Sequence, residues 1–199
     1  MSVAGTLMLA EKLQKQKDSE QREQRFRVYA YALGASATAV VGWDVYFARE
    51  LVRAELLPVI VFSMFIGFAW YFSFSIYPRA SLSISLDMAY LMTALCVLPH
   101  PLPMAVAFGG AVLGCHLRVR ESRVHNPFFQ VLSLNTGGLV TTALAGHYLS
   151  IALAKYWEFH ALTWGTVLSV VALFLAYNLT NVAIMVVAML LKGKPVLPH

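Results

Sequence analysis

The sequence predicts an all-α fold: a polytopic membrane protein of six helices that cross a bilayer, with both chain ends in the cytoplasm. Three observations lead there. Apolar runs of spanning length follow one another along the chain. Charge is scarce: of 199 residues, 59% are hydrophobic and 13% charged, with a mean hydropathy of +0.65, where a soluble domain carries about 25% charged residues. The basic residues that remain fall on alternate connections. A water-soluble fold of this length has too small a core to hide so much apolar surface, whereas lipid accepts it.

The elements follow in order. Residues 1–26 are polar and mixed in sign, from Glu11 and Lys12 to Glu23 and Arg25. They contain no Pro, and no Gly after Gly5, so a solvated or interfacial cytoplasmic helix is expected, without the sustained heptad of a coiled coil. The stretch is polar for too long to be a secretory signal peptide. The spans then occupy residues 27–191. The first covers 27–49 with one acid, Asp44; the second 56–77; the third 80–98, with Asp87 about two turns inside. Pro99-His100-Pro101-Leu102-Pro103 breaks the helix in a tight turn. The fourth span, 102–117, is short. Asn126 caps and Pro127 starts the fifth, 128–154. The sixth, 164–191, carries no charge and is long enough to tilt. Residues 192–199 form a short cytoplasmic tail. Strands are not expected, because an open sheet edge in lipid leaves backbone groups unpaired.

Orientation comes from Lys and Arg. With the N-terminus inside, the inner segments hold Lys12, Lys15, Lys17, Arg22, Arg25, Arg27, Arg79, Arg118, Arg120, Arg123, Lys192 and Lys194. The outer ones hold Arg49, Arg53 and Lys155, which completes the 15. This is the positive-inside bias. Trp43, Tyr46, Tyr156, Trp157 and Trp164 then fall at the outer interface, as belt residues do. The net charge of +5 is spread over short clusters between apolar runs, which points to anionic lipid headgroups and away from nucleic acid. Arg118, Arg120 and Arg123 are expected at headgroups or on a cytoplasmic partner. Cys96 and Cys115 lie at opposite faces, too far apart for a disulfide.

Polar groups inside the spans are the candidate site. A carboxylate in hydrocarbon costs several kcal/mol unless paired, hydrated or protonated, so Asp87, preceded by Ser85, is read either as a ligand contact or switch, or as a packing hydrogen bond to Asn135, Asn178, Asn181 or a Ser. Asp44, nearer the outer interface, is expected to meet water or Arg49. Asn178 and Asn181 are one turn apart in an apolar span, so both can face the bundle and serve either interhelical hydrogen bonds or a polar ligand group. Gly110 and Gly114 form GxxxG; Gly138, Thr142 and Gly146 repeat at spacing four, as do Ala35 and Ala39. Each pattern lets two backbones approach, within the bundle or against a partner.

Catalytic and metal patterns are missing from the sequence. His100, His116, His125, His147, His160 and His199 form no HxxxH or HExxH. His100, His147 and His160 share the outer side, but their spacing demands no metal. GxSxG, Walker and GxGxxG motifs are absent, and Ser and Cys lack a nearby base. A non-enzymatic protein is expected, with no cofactor indicated.

Residues 81–148 read SLSISLDMAYLMTALCVLPHPLPMAVAFGGAVLG, a basic loop, then HNPFFQVLSLNTGGLVTTALAGHY. This resembles the membrane-associated sensor domains that precede GGDEF or HD-GYP output domains in bacterial cyclic-di-GMP signalling. In that family a Ser-rich lead-in to one span, here Ser83, Ser85 and Asp87, is followed by a small-residue helix, a basic loop and an Asn, here Asn126. The resemblance covers about a third of the chain and implies a sensor in the bacterial inner membrane, signalling to a cytoplasmic output domain or separate protein partner. The chain departs from the pattern by stopping at His199 before any output domain. A second, fold-level resemblance is to the S components of energy-coupling factor transporters, six-helix proteins of about this size; Ala35 and Ala39 are similar to their docking face. Three functions therefore stand: a sensor or binding module for a small or lipophilic ligand, a transporter's substrate-binding subunit, and an accessory scaffold.

Overall fold

A computed structural model describes residues 3–71, 74–75, 83–84, 87–121, 128–154 and 164–193; residues 3–10, 74–75, 83–84, 118–121, 154 and 164–166 are described by backbone alone. Helix α1 runs without a break from Val3 to Phe47. Its first half is rich in Glu, Gln, Lys and Ala, strong helix formers, and Lys15–Glu11 (2.7 Å) and Arg27–Glu23 (3.3 Å) pair at spacing four. The boundary drawn at residue 26 is thus a change of surface and not of backbone. At 1.5 Å per residue, 45 residues extend about 68 Å, more than twice a ~30 Å hydrocarbon core. From Phe26 onward the helix docks through Phe26, Ala30, Gly34, Ala37 and Val41, one face at helical spacing.

Ala48 and Glu55 then interrupt the helix on either side of a six-residue α2 (Arg49–Ala54) before α3 (Leu56–Tyr71). Two-residue strands β1 (Phe74–Ser75) and β2 (Ser83–Ile84) pair antiparallel, Phe74 opposite Ile84. The remaining helices are α4 (Asp87–Val97), α5 (Leu102–Glu121), α6 (Phe128–Ala154) and α7 (Trp164–Leu191). Between α4 and α5 the proline turn closes with Leu102 N–H donating to Pro99 O (3.0 Å) and Met104 N–H to Pro101 O (3.1 Å). Helix α7 ends at Gly193, whose φ of +66° suits the left-handed cap that only glycine adopts without strain.

Three expectations are corrected. Helix α3 is described to Tyr71, where the second span was expected to reach 77, and α4 from Asp87, where the third was expected from 80; residues 72–73, 76–82 and 85–86 lie outside the described residues. Asp87 is consequently the first residue of α4 and not two turns inside a span. The fourth helix is longer than predicted, and the fifth and sixth match their predicted ranges.

Helices α5 and α6 form the centre. α5 lies parallel to α3, with Gly110 against Ile66, Gly67 against Leu113 and Gly114 against Trp70. A Cβ at Gly110 would stand 2.6 Å from the Ile66 Cβ, so the missing side chain is what lets the two backbones approach. α6 meets α1 at Gly34–Ser133 and Leu33–Gly137, and meets α7 at Gly138–Ile184. One end of the bundle is marked by Lys192 over the Phe26 ring (4.0 Å) and Gln130 Nε2 donating to Glu23 (3.3 Å). The opposite end is marked by stacked His100 and His147 rings (4.0 Å) and by Gly146 against Leu95. Among the described residues α1 and α3–α7 pack together as one helical bundle.

The outer surface is unusually apolar. Gln130, Thr136, Thr142 and Ser169 are buried, while Leu168, Phe174, Leu175, Leu179 (69% exposed), Val182 and Leu190 of α7 face outward. Two helical stretches, Phe128–Leu153 and Val167–Leu191, are each long and apolar enough to cross a membrane; Leu56–Tyr71, Asp87–Val97 and Leu102–Leu117 are apolar but shorter.

Candidate functional site

The start of α4 collects the most polar chemistry inside the bundle. Placing Asp87 in the first turn sets its carboxylate where the helix dipole and the free N–H groups favour negative charge. Trp70, the penultimate residue of α3, donates its indole N–H to Asp87 Oδ2 at 2.5 Å. Tyr177, buried on α7, lies within electrostatic reach of the same carboxylate. One residue on, the Met88 sulfur accepts from Asn178 Nδ2 (3.7 Å), which also donates to the Phe174 carbonyl (2.8 Å). So Asp87 and Asn178 are brought together through Met88, and the start of α4 is tied to α3 on one side and α7 on the other.

The other predicted residues scatter. Asn135, on α6, donates to the buried Cys115 thiol (3.4 Å). Asn181 stands exposed: only Asn178 of the pair turns toward the bundle, because the buried stripe of α7 passes through Leu173, Tyr177 and Ile184. Ser85 lies outside the described residues, as do Arg123 and the side chains of Arg118 and Arg120.

Small residues divide the same way. Gly110 and Gly114 face α3, Gly146 faces Leu95 of α4, and buried Thr142 donates to the Gly138 carbonyl (2.7 Å). Ala35 and Ala39 are exposed on α1; the close approach of that helix is made by Gly34 instead. Sequence reasoning missed Gly34, Gly137, Trp70 and Tyr177. Gly34 and Thr38 do stand at spacing four, a signal as good as the Ala pair, but nothing in sequence joins Trp70 to Asp87.

At the far end His100 and His147 stack with planes 12° apart, and Asp44 lies within electrostatic reach of His147, while Arg49 pairs with Glu50 (3.4 Å). His160 lies outside the described residues, and among those described no three His, Cys, Asp or Glu side chains gather as a metal site would require. Cys96 is exposed and Cys115 buried, and neither is in a disulfide among the described residues. No family model, curated protein or solved structure matches this chain.

Proposed function

We propose that this chain is a non-enzymatic binding module of a bacterial cytoplasmic membrane. Six helices span the bilayer with both ends inside, and the bundle recognises a small or lipophilic ligand or a membrane partner. The signal leaves through α7 toward a cytoplasmic output domain or partner. The observation that carries this reading is the apolar outer surface of the helices, α7 above all. Fully removing a Leu, Val, Phe or Met side chain from water gains about 1.5–3 kcal/mol. The outward apolar side chains of α7 alone, left in water, would forgo roughly 10 kcal/mol, comparable to the 5–15 kcal/mol that holds a whole domain folded. In lipid that loss disappears.

The cluster at the start of α4 supports a signalling role. Trp70 donates to Asp87 and Asn178 donates to Met88, so α4 is tied to α3 and to α7, and a shift of α4 is felt by α7, the helix proposed to run to the cytoplasmic end. Fluorescent and alkaline phosphatase reporters at Met1, at His199 and within 155–163 test the topology. Both termini should fluoresce and the loop should show phosphatase activity. Termini on opposite sides of the membrane would end the proposal.

The exposure of Ala35 and Ala39 favours a second reading, a transporter substrate-binding subunit docked through α1. Ala35→Leu with Ala39→Leu should then release a scaffold subunit without unfolding the chain. An accessory scaffold would copurify with a larger complex and bind no ligand.

A further inference from the structure

We propose that the cavity between α1 and the end of α7 binds the phosphate of an anionic phospholipid headgroup, with the Arg22 guanidinium and the Lys192 ammonium as its donors. The inference rests on the membrane reading above and names a partner for the proposed inner end of the bundle. The cavity measures about 490 Å³ and is lined by Lys15, Asp18, Ser19, Arg22, Glu23 and Lys192; small-molecule sites occupy roughly 300–1,000 Å³. Arg22 stands about 7.5 Å along the helix before residue 27, where the proposed first span begins, and Lys192 follows the last residue of α7. Both therefore fall at headgroup depth, since the headgroups add roughly 5–8 Å to each side of the hydrocarbon.

Two cations held in place without a counter-charge are the sign of a missing partner. Lys15 pairs with Glu11 (2.7 Å) and Glu23 with Arg27 (3.3 Å), so both of these lining charges are already met from outside the cavity. Asp18 stands one turn before Arg22, a spacing at which acid and base pair, yet its carboxylate accepts from Gln14 Nε2 instead (3.2 Å). Arg22 and Lys192 are left with no ion-pair partner among the described residues. Both side chains are nonetheless seated. The Lys192 ammonium rests over the buried Phe26 ring, and the Arg22 guanidinium fills the space that a Cβ at Gly193 would take. A phosphate diester carries one negative charge on two free oxygens, so it can accept from both donors at once and bridge α1 to α7. A basic pocket at the cytoplasmic face suits a lipid phosphate, whose acyl chains would lie along the apolar outer surface. The headgroup is anionic because a choline or ethanolamine would bring a third cation to the two already there.

The test uses native mass spectrometry of the full chain in detergent, with phosphatidylglycerol as probe and phosphatidylcholine, glycerophosphoglycerol and inorganic phosphate as competitors. The wild type should bind phosphatidylglycerol saturably, and each competitor should be at least about tenfold weaker. Arg22→Gln and Lys192→Gln should each weaken binding about fivefold, and together at least about tenfold. Arg22→Lys, which keeps the charge, should stay within about threefold. Lys12→Gln with Lys17→Gln removes the same charge from exposed positions that do not line the cavity, and should leave the affinity within about twofold. Absence of saturable binding, equal competition by phosphatidylcholine, an unchanged Arg22→Gln, Lys192→Gln double variant, or an equal loss in the Lys12, Lys17 variant would overturn the proposal. Competition by glycerophosphoglycerol or phosphate as strong as that of the lipid itself would assign the cavity to a soluble phosphate and overturn the lipid. Resistance of the wild type to alkaline extraction separates the two layers of argument. A chain that stays in the membrane but fails these measurements loses only the headgroup site, whereas a chain released by alkali loses the membrane reading as well.

Discussion

Replacing Gly110 by alanine probes the packing most sharply. The added Cβ would meet Ile66 Cβ at 2.6 Å and Ile66 Cγ2 at 2.5 Å. A rotamer change moves Cγ2 but not Cβ, which is fixed to the α3 backbone. Ordinary contact begins near 3.4 Å, so α3 and α5 must separate by about 0.8 Å where they pack best. Overpacking of this kind costs about 1–3 kcal/mol. Removing a helical glycine returns up to about 1 kcal/mol, leaving a net loss of about 1–2 kcal/mol. Gly138→Ala is the control, since its nearest neighbour, Ile184 Cγ2, would be 3.9 Å away. That change should be neutral or stabilise by up to about 1 kcal/mol. Equilibrium unfolding in mixed detergent micelles measures both. A Gly110→Ala protein as stable as wild type, or one more stable than Gly138→Ala, would refute the α3–α5 packing.

Further consequences are open to measurement. Asp87→Asn retains an acceptor for the Trp70 indole and should cost under about 1 kcal/mol, whereas Asp87→Leu forfeits a charge-assisted hydrogen bond and should cost about 1.5–3 kcal/mol; equal losses in the same unfolding assay would remove the Trp70 contact from the account. Gly34→Leu should abolish a monodisperse fold because its Cβ would already lie 2.6 Å from Ser133, while Gly42→Leu, with nothing within 4 Å, should be tolerated on size-exclusion chromatography. Thr142→Val removes a hydroxyl that is already returned to the Gly138 carbonyl and should shift stability by no more than about 1.5 kcal/mol in the same assay; a larger loss would mean that the hydroxyl is not satisfied within its own helix.

The ends of α6 and α7 were legible because both helices are runs of more than 25 residues without Asp, Glu, Lys or Arg, with charged or proline-containing flanks. The region before α4 was not. Its serines alternate with Leu and Ile over residues 81–86, and Phe72 to Ser75 alternate likewise around the Pro78 break. That is a period-two signal, hidden by a composition that also suits a helix in lipid, and β1 and β2 fall within it. Reading the stretch as helix carried Asp87 two turns too deep.

Register failed on α1 for a related reason. Ala32, Gly34, Ala35, Ser36, Ala37, Thr38 and Ala39 are small all round the helix, so spacing alone cannot say which small residue meets α6. The apolar anchors Phe26, Ala30 and Val41 fix the face and select Gly34. On α7 the two Asn residues are 60° apart around the axis, and the stripe boundary falls between them. The site itself was half legible. An acid within an expected span drew notice to Asp87, but Trp70, which donates to it, belongs to another helix, and only packing brings the two near.

What surrounds the outer faces decides the account most directly. Nitroxide labels at Leu175, Leu179 and Val182, all outward on α7, can be compared with labels at Lys12 and Lys15 on the polar part of α1. In nanodiscs the α7 labels should relax strongly with oxygen and hardly at all with a water-soluble nickel complex, and the α1 labels should show the reverse. Nickel access at Leu179 equal to that at Lys12 would place α7 in water and contradict the membrane-spanning bundle.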